Sequence, residues 1–94
     1  MANQLRRLRE INLSRCQNIS DEGVMYLVEK MPSINQISLA SCRNITDRAI
    51  FHICDYLPKL QALDLEHCEN VSSEAIVFLS EKLTLLEELV LSTI

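Results

Sequence analysis

Four cysteines and two histidines are the side chains of this 94-residue sequence best suited to nucleophilic or metal chemistry. Cys16, Cys42 and Cys68 stand 26 residues apart, and Cys54 lies two residues after His52 in "FHICDY". A zinc site favours thiolates in close pairs such as C-x₂-C, and a 26-residue interval supplies none. A disulfide within the three spaced cysteines would leave an odd thiol and disturb whatever corner they share. His52 and Cys54 are two apart, a spacing at which helical side chains do not face one another, so a Cys–His catalytic pair is not expected. The single glycine leaves no room for a Gly-rich phosphate loop, and no nucleophile elbow or pair of catalytic carboxylates is visible. Neither enzymatic activity nor a metal or other cofactor is expected; an enzyme would have to rest on Cys54 or His67.

The cysteine interval belongs to a repeat that runs through nearly the whole chain. "LREINLSRCQNISDEGVMYLVEKMPS", "INQISLASCRNITDRAIFHICDYLPK" and "LQALDLEHCENVSSEAIVFLSEKLTL" align without a gap, starting at Leu8, Ile34 and Leu60. Asn18, Asn44 and Asn70 share the period, as do Leu13, Leu39, Leu65 and Leu91. A fixed period of this size marks stacked units, each unable to bury its apolar face alone. The first half of each unit carries apolar residues two apart (Ile11 and Leu13, Ile37 and Leu39, Leu63 and Leu65, Leu89 and Leu91), which is the strand period. The second half opens on Ser20, Thr46 or Ser72, good helix N-caps, followed by acids suited to the first turn. Val24–Leu27–Met31, Ile50–Ile53–Leu57 and Ile76–Leu79–Leu83 then recur at the spacing of one helical face. Pro32 and Pro58 mark the expected stops; the third unit has Thr84 instead. Gly23, Ala49 and Ala75 share one position near the helix start, where a small residue lets helix and sheet approach closely.

The pattern L-x-x-[IL]-x-L-x-x-C-x-N-[IV]-[ST] resembles the cysteine-containing class of leucine-rich repeats, known chiefly from F-box/leucine-rich-repeat proteins, the substrate-recruiting subunits of ubiquitin ligases. The resemblance implies an α/β fold: a right-handed solenoid with parallel strands on the concave face and helices on the convex face. One domain over 1–94 would hold a lead-in at 1–7, repeats at about 8–33, 34–59 and 60–85, and a partial fourth at 86–94. No F-box precedes the repeats within this sequence, so ligase recruitment is not carried over. The three spaced cysteines should turn inward as a column of core filler at the strand-to-helix corner, each a small apolar body with a weak donor. The asparagines should form turns, their side chains bonded to nearby backbone.

Partner binding is then expected from what varies on the strand face: Glu10, Asn12 and Ser14; Gln36, Ser38 and Ala40; Ala62, Asp64 and Glu66; Glu88, Val90 and Ser92. Arg9, Arg15, Asn35, Ser41, His67, Glu87 and Thr93 flank it. The partner-binding set is Arg15, Gln36, Ser38, Asp64, Glu66, His67, Glu87 and Glu88, with a basic segment of another protein docking at the acidic third and fourth coils. A merely solvated sheet face is the competing reading. A second candidate is the helices, where Met25, Tyr26, Phe51, His52, Val77 and Phe78 either pack between neighbours or leave a convex apolar patch.

Charge and composition bound the partner class. The formal net charge is −4, which weighs against nucleic acid and anionic membrane. Residues 1–48 hold seven basic and five acidic side chains, and residues 49–94 two basic and eight acidic. No apolar run approaches the roughly 20 residues of a membrane span, and "MANQLRRLRE" lacks the apolar core of a signal peptide. Four cysteines without such a signal suit a reducing, cytoplasmic or nuclear setting. The apolar end "ELVLSTI" is an uncovered strand edge, so self-association through it is expected. The leading reading is a non-catalytic protein-binding module; the alternative is a structural or assembly factor, like the small leucine-rich-repeat proteins of mitochondrial complexes.

Overall fold

The computed structural model describes residues 8–91. Strands and helices alternate: β1 (Glu10–Asn12), α1 (Asp21–Lys30), β2 (Gln36–Ser38), α2 (Asp47–Tyr56), β3 (Ala62–Asp64), α3 (Ser73–Lys82) and β4 (Glu88–Val90). The four strands form one parallel sheet in the order β1-β2-β3-β4. Register follows the repeat: Ile11 pairs with Ile37, Ile37 with Leu63 and Leu63 with Leu89. A slip of one residue would turn the apolar set to the opposite face, so the core pins this pairing. The expected lead-in at 1–7, together with Ser92, Thr93 and Ile94, lies outside the described residues.

Each strand is three residues long, yet the ladder continues past it. Leu13 N–H donates to Ser38 O and Arg15 N–H to Ala40 O, both at 2.8 Å; Leu39 and Ser41 repeat this toward Asp64 O and Glu66 O. Arg15, Ser41 and His67 then adopt φ of 62–64°, the left-handed region. This recurs at one position of three coils without a glycine, although left-handed backbone costs an ordinary residue about 1–2 kcal/mol. The turn it produces sends the chain from sheet to helix.

The core lies between sheet and helices. Leu39, Cys42, Ile45, Ala49, Ile50 and Ile53 of the second coil are fully buried, joined by Leu60, Leu63, Leu65, Ala75, Leu79 and Leu83 of the third. First-coil counterparts Leu13 and Ile19 are only partly buried. The helices stop at the same place in every coil, at Lys30, Tyr56 and Lys82. Met31, Leu57 and Leu83 each donate N–H to the helix and accept from Ile34, Leu60 and Leu86 in turn. Thr84 replaces proline after the third helix without shifting its end, so the buried residue at the stop matters more than Pro32 or Pro58. Of the expected caps, Thr46 and Ser72 accept from Arg48 N–H and Ala75 N–H, while Ser20 makes no side-chain cap bond.

Two ladders run between coils rather than within them. Asn44 Nδ2 donates to Gln17 O at 2.7 Å, and Asn70 Nδ2 to Arg43 O at 2.6 Å. The asparagines therefore tie each turn to the preceding coil, where local turn formation was expected. Asp21 accepts from both the N–H and the hydroxyl of Thr46, and Asp47 does the same for Ser72. These first-turn acids brace the next coil's cap as well as facing their own helix dipole. Asp21 is the buried charged residue among those described, and its two bonds offset its loss of water.

Candidate functional site

The cysteines divide by coil. Cys42 and Cys68 are buried at the corner and Cys16 is exposed, a departure from the expected inward column. Cys42 Sγ donates to Leu13 O and Cys68 Sγ to Leu39 O, each at 2.9 Å. Each thiol thus seats on a carbonyl of the coil before, and no described coil precedes that of Cys16. Cys54 occupies the core-facing helix position held by Val28 in the first coil. Burial pushes all three buried thiols up, Cys54 to about 11, the opposite of what a nucleophilic thiolate requires. His52 is engaged elsewhere: Nε2 meets Glu29 Oε2 at 2.8 Å, and the ring stacks on Tyr56 at 4.4 Å. Among the described residues no group of three His, Cys, Asp or Glu side chains converges as a metal site would require.

The strand face is where side chains converge. Side chains alternate along each strand, so Ile37 and Leu63 enter the core while their neighbours stand on the open face. A groove of about 280 Å³ crosses all four strands, walled by Glu10, Asn12, Gln36, Ser38, Ala62, Asp64, Glu88 and Val90. Ile11, Ile37 and Leu63, between these positions on their strands, complete its lining. In one row Glu10 and Glu88 occupy the ends, with Gln36 and Ala62 between. At about 4.8 Å per strand the end positions are about 14 Å apart, the length of roughly four extended residues. In the adjoining row Asn12 Oδ1 accepts from Ser14 N–H and Oγ–H, and Ser14 Oγ meets Ser38 Oγ at 2.7 Å. Asp64 Oδ1 accepts from Glu66 N–H at 3.0 Å, which holds that carboxylate over the turn.

Of the eight partner-binding residues read from the sequence, Gln36, Ser38, Asp64 and Glu88 line this groove together. Arg15 and His67 line a separate cleft on the rim. Glu66 and Glu87 are exposed beside the groove and wall neither cleft. Sequence reasoning passed over Gln17, Arg43 and Glu69 on the rim; their shared 26-residue interval and varied charge were the available signal.

The helix face combines both alternatives left open. Phe51 and Phe78 pack edge to face at 4.9 Å across neighbouring helices. Tyr26 and Val77 remain 63% and 57% exposed, so inter-helix packing does not consume the apolar surface. Lys30 and Lys82 stand 5.6 Å from the ring centres of Tyr26 and Phe78, covering part of it.

With register, corner and groove in place, sequence comparison decides the family. The Leucine Rich repeat family matches residues 4–28 and 56–80, one stretch in the first coil and one leading into the third helix. The chain belongs to the leucine-rich-repeat family. Its fold is therefore that of a leucine-rich-repeat solenoid, strands on one face and helices on the other. No curated protein sequence matches the chain. Solved structures do: the Mex67:Mtr2 subunits of Chaetomium at TM-score 0.64 and 22% identity, covering 98% of this chain and 66% of that one. The Mex67 leucine-rich-repeat domain of Chaetomium thermophilum gives 0.65 and 21%, covering 98% and 76%. At such identity the likeness speaks for the repeat fold alone. No described helix is long and apolar enough to cross a membrane.

Proposed function

We propose that this leucine-rich-repeat chain is a non-catalytic binding module whose strand face receives a basic, extended segment of another protein. The observation that carries the reading is the groove across four strands, with Glu10 and Glu88 at its ends and Asp64 beside Glu88's row. Stacked repeats commonly bind through such a surface, and the raised thiol pKa values of Cys42, Cys54 and Cys68 leave little nucleophilic chemistry to compete with it. The small side chains of Ala62 and Ser38 allow close approach of a partner backbone. Glu66 and Glu87 add negative potential at the border, which favours fast association with a cationic segment at low salt. Four free thiols suit a reducing cytoplasmic or nuclear setting.

The finer reading places the chain near the cysteine-containing repeats of F-box proteins, with the groove acting in substrate recognition for a ubiquitin ligase. Its support is the recurrent L-x-x-C-x-N corner in three coils.

The test uses fluorescently labelled basic peptides, with lysine or arginine at alternate positions, and an acidic peptide of equal length. Basic peptides should bind with salt-sensitive affinity, weakened about tenfold or more by combined Glu10→Lys, Asp64→Lys and Glu88→Lys. Reversal of the helix-borne Glu74 and Glu81 should leave binding within about twofold. Equal losses in the two variants, or equal binding of the acidic peptide, would reject the groove as the docking face.

A further inference from the structure

Beside the acidic groove lies a second concavity of opposite character. Where the chain leaves the strands, Arg15, Gln17, Ser41, Arg43, His67 and Glu69 enclose a cleft of about 330 Å³. We infer that this rim cleft is an oxyanion-binding site, taking a carboxylate or phosphate group between Arg15 and Arg43 over Ser41.

Two features of the fold make the cleft a prepared site rather than two loose arginines. Arg15 and Ser41 are fixed by sheet-like bonds to the following coil, Arg15 N–H to Ala40 O at 2.8 Å and Ser41 N–H to Glu66 O at 2.7 Å. Both residues have left-handed φ, which turns the chain from sheet toward helix at the same point of each coil. The second row is fastened from the other direction: Asn44 holds the carbonyl of Gln17, and Asn70 the carbonyl of Arg43. Backbone on both sides of the cleft is thus immobilised by bonds between coils, and ordering costs on binding fall mainly on the arginine side chains.

Charge then places the ligand. Gln17, Arg43 and Glu69 occupy one position of successive coils, and Arg15, Ser41 and His67 the other. The two guanidinium groups therefore sit diagonally across the first two coils, with amide and hydroxyl donors at the remaining corners. Guanidinium binds carboxylate and phosphate through paired N–H groups, and two such groups suit the more highly charged phosphate best. Glu69 closes the third-coil end with a negative charge, so an anion is repelled there and directed to the Arg15–Arg43 end. The arrangement puts a cationic subsite next to the anionic groove. A partner carrying an acidic or phosphorylated side chain adjoining a basic stretch would satisfy both.

The test is a titration of the whole chain, labelled with ¹⁵N, with inorganic phosphate and separately with sodium acetate at constant ionic strength. Saturable shifts are expected at the amides of Arg15, Gln17, Ser41 and Arg43, with phosphate tighter than acetate. Arg15→Gln with Arg43→Gln should weaken phosphate about tenfold, as expected for loss of charged hydrogen bonds. Glu69→Gln should strengthen it, a gain that a merely structural rim would not produce. Dispersed spectra of each variant establish that it is folded. Absence of saturation, shifts that persist in the double arginine variant, or an unchanged response in Glu69→Gln would overturn the site. Basic-peptide binding to the groove is measured separately and does not depend on this outcome.

Discussion

The first and second coils share one sequence pattern and differ sharply in what that pattern accomplishes. In the second coil Cys42, Ile45 and Ala49 are wholly buried, and Thr46 is held by Asp21 of the coil before. At the matching positions of the first coil Cys16 is exposed, Ile19 is partly buried, and Ser20 has no side-chain cap bond. The residue types are nearly the same, so the difference lies in the neighbours. A repeat obtains its stability from the interface on each side as much as from its own contacts.

Paired substitutions test that contrast. The largest effect should come from the strand leucines: Leu39→Ala, at a fully buried site, is expected to lower stability by about 3 kcal/mol or more. Leu13→Ala, at a partly buried one, should cost about half as much by urea denaturation. Equal losses would show that the first coil is as tightly packed as the second.

Next in size is the link between the coils. Asp21→Ala leaves the Thr46 N–H and hydroxyl without their partner and should cost about 2 kcal/mol. Asp47→Ala removes the same pair of bonds at Ser72, which is exposed, so water replaces part of the loss and about 1 kcal/mol is expected. The ordering of the two, read from thermal midpoints, is the informative result.

The thiols provide a version of the comparison that needs no mutation. Iodoacetamide under native conditions should modify Cys16 at least about tenfold faster than Cys42, Cys54 or Cys68, as read by peptide mass mapping. The buried thiols also set a pH dependence. Their pKa values are raised on folding, so the folded state binds these protons more tightly than the unfolded one. Stability should be intact below the ordinary thiol range and fall as pH rises from there toward the value of about 11 reached by Cys54.

The smallest effect concerns Gly23, which stands where the later coils have alanine. A Cβ there would come within 2.7 Å of Ile19 Cδ1, the far end of a side chain that is itself only partly buried. Ile19 can turn aside, and helix propensity then favours the change. Gly23→Ala should stabilise by about 0.5 kcal/mol. Destabilisation would mean that Ile19 is held as firmly as its buried counterpart Ile45.

Much of this architecture was legible from residue spacing. The 26-residue interval set the strand register, because Ile11, Ile37, Leu63 and Leu89 must all face one core. Apolar residues at helical spacing located α1, α2 and α3, and the exposed strand positions anticipated most of the groove wall. The rim was half legible: Arg15, Ser41 and His67 stood out as flanking residues, whereas Gln17, Arg43 and Glu69 did not.

By itself the sequence determined the repeat, the direction of each side chain along a strand, and the acidic cast of the later coils. These follow from periodicity, which is local and survives any detail of packing. Only the tertiary structure decided which side chains reach to a neighbouring coil: Asp21 to Thr46, Asn44 to Gln17, Cys42 to Leu13. Those partners lie 25 to 29 residues apart, and a repeated residue type reads the same whether its bond is made within its own turn or across to the next coil. The same holds for burial, since Cys16 and Cys42 differ in their neighbours and not in themselves.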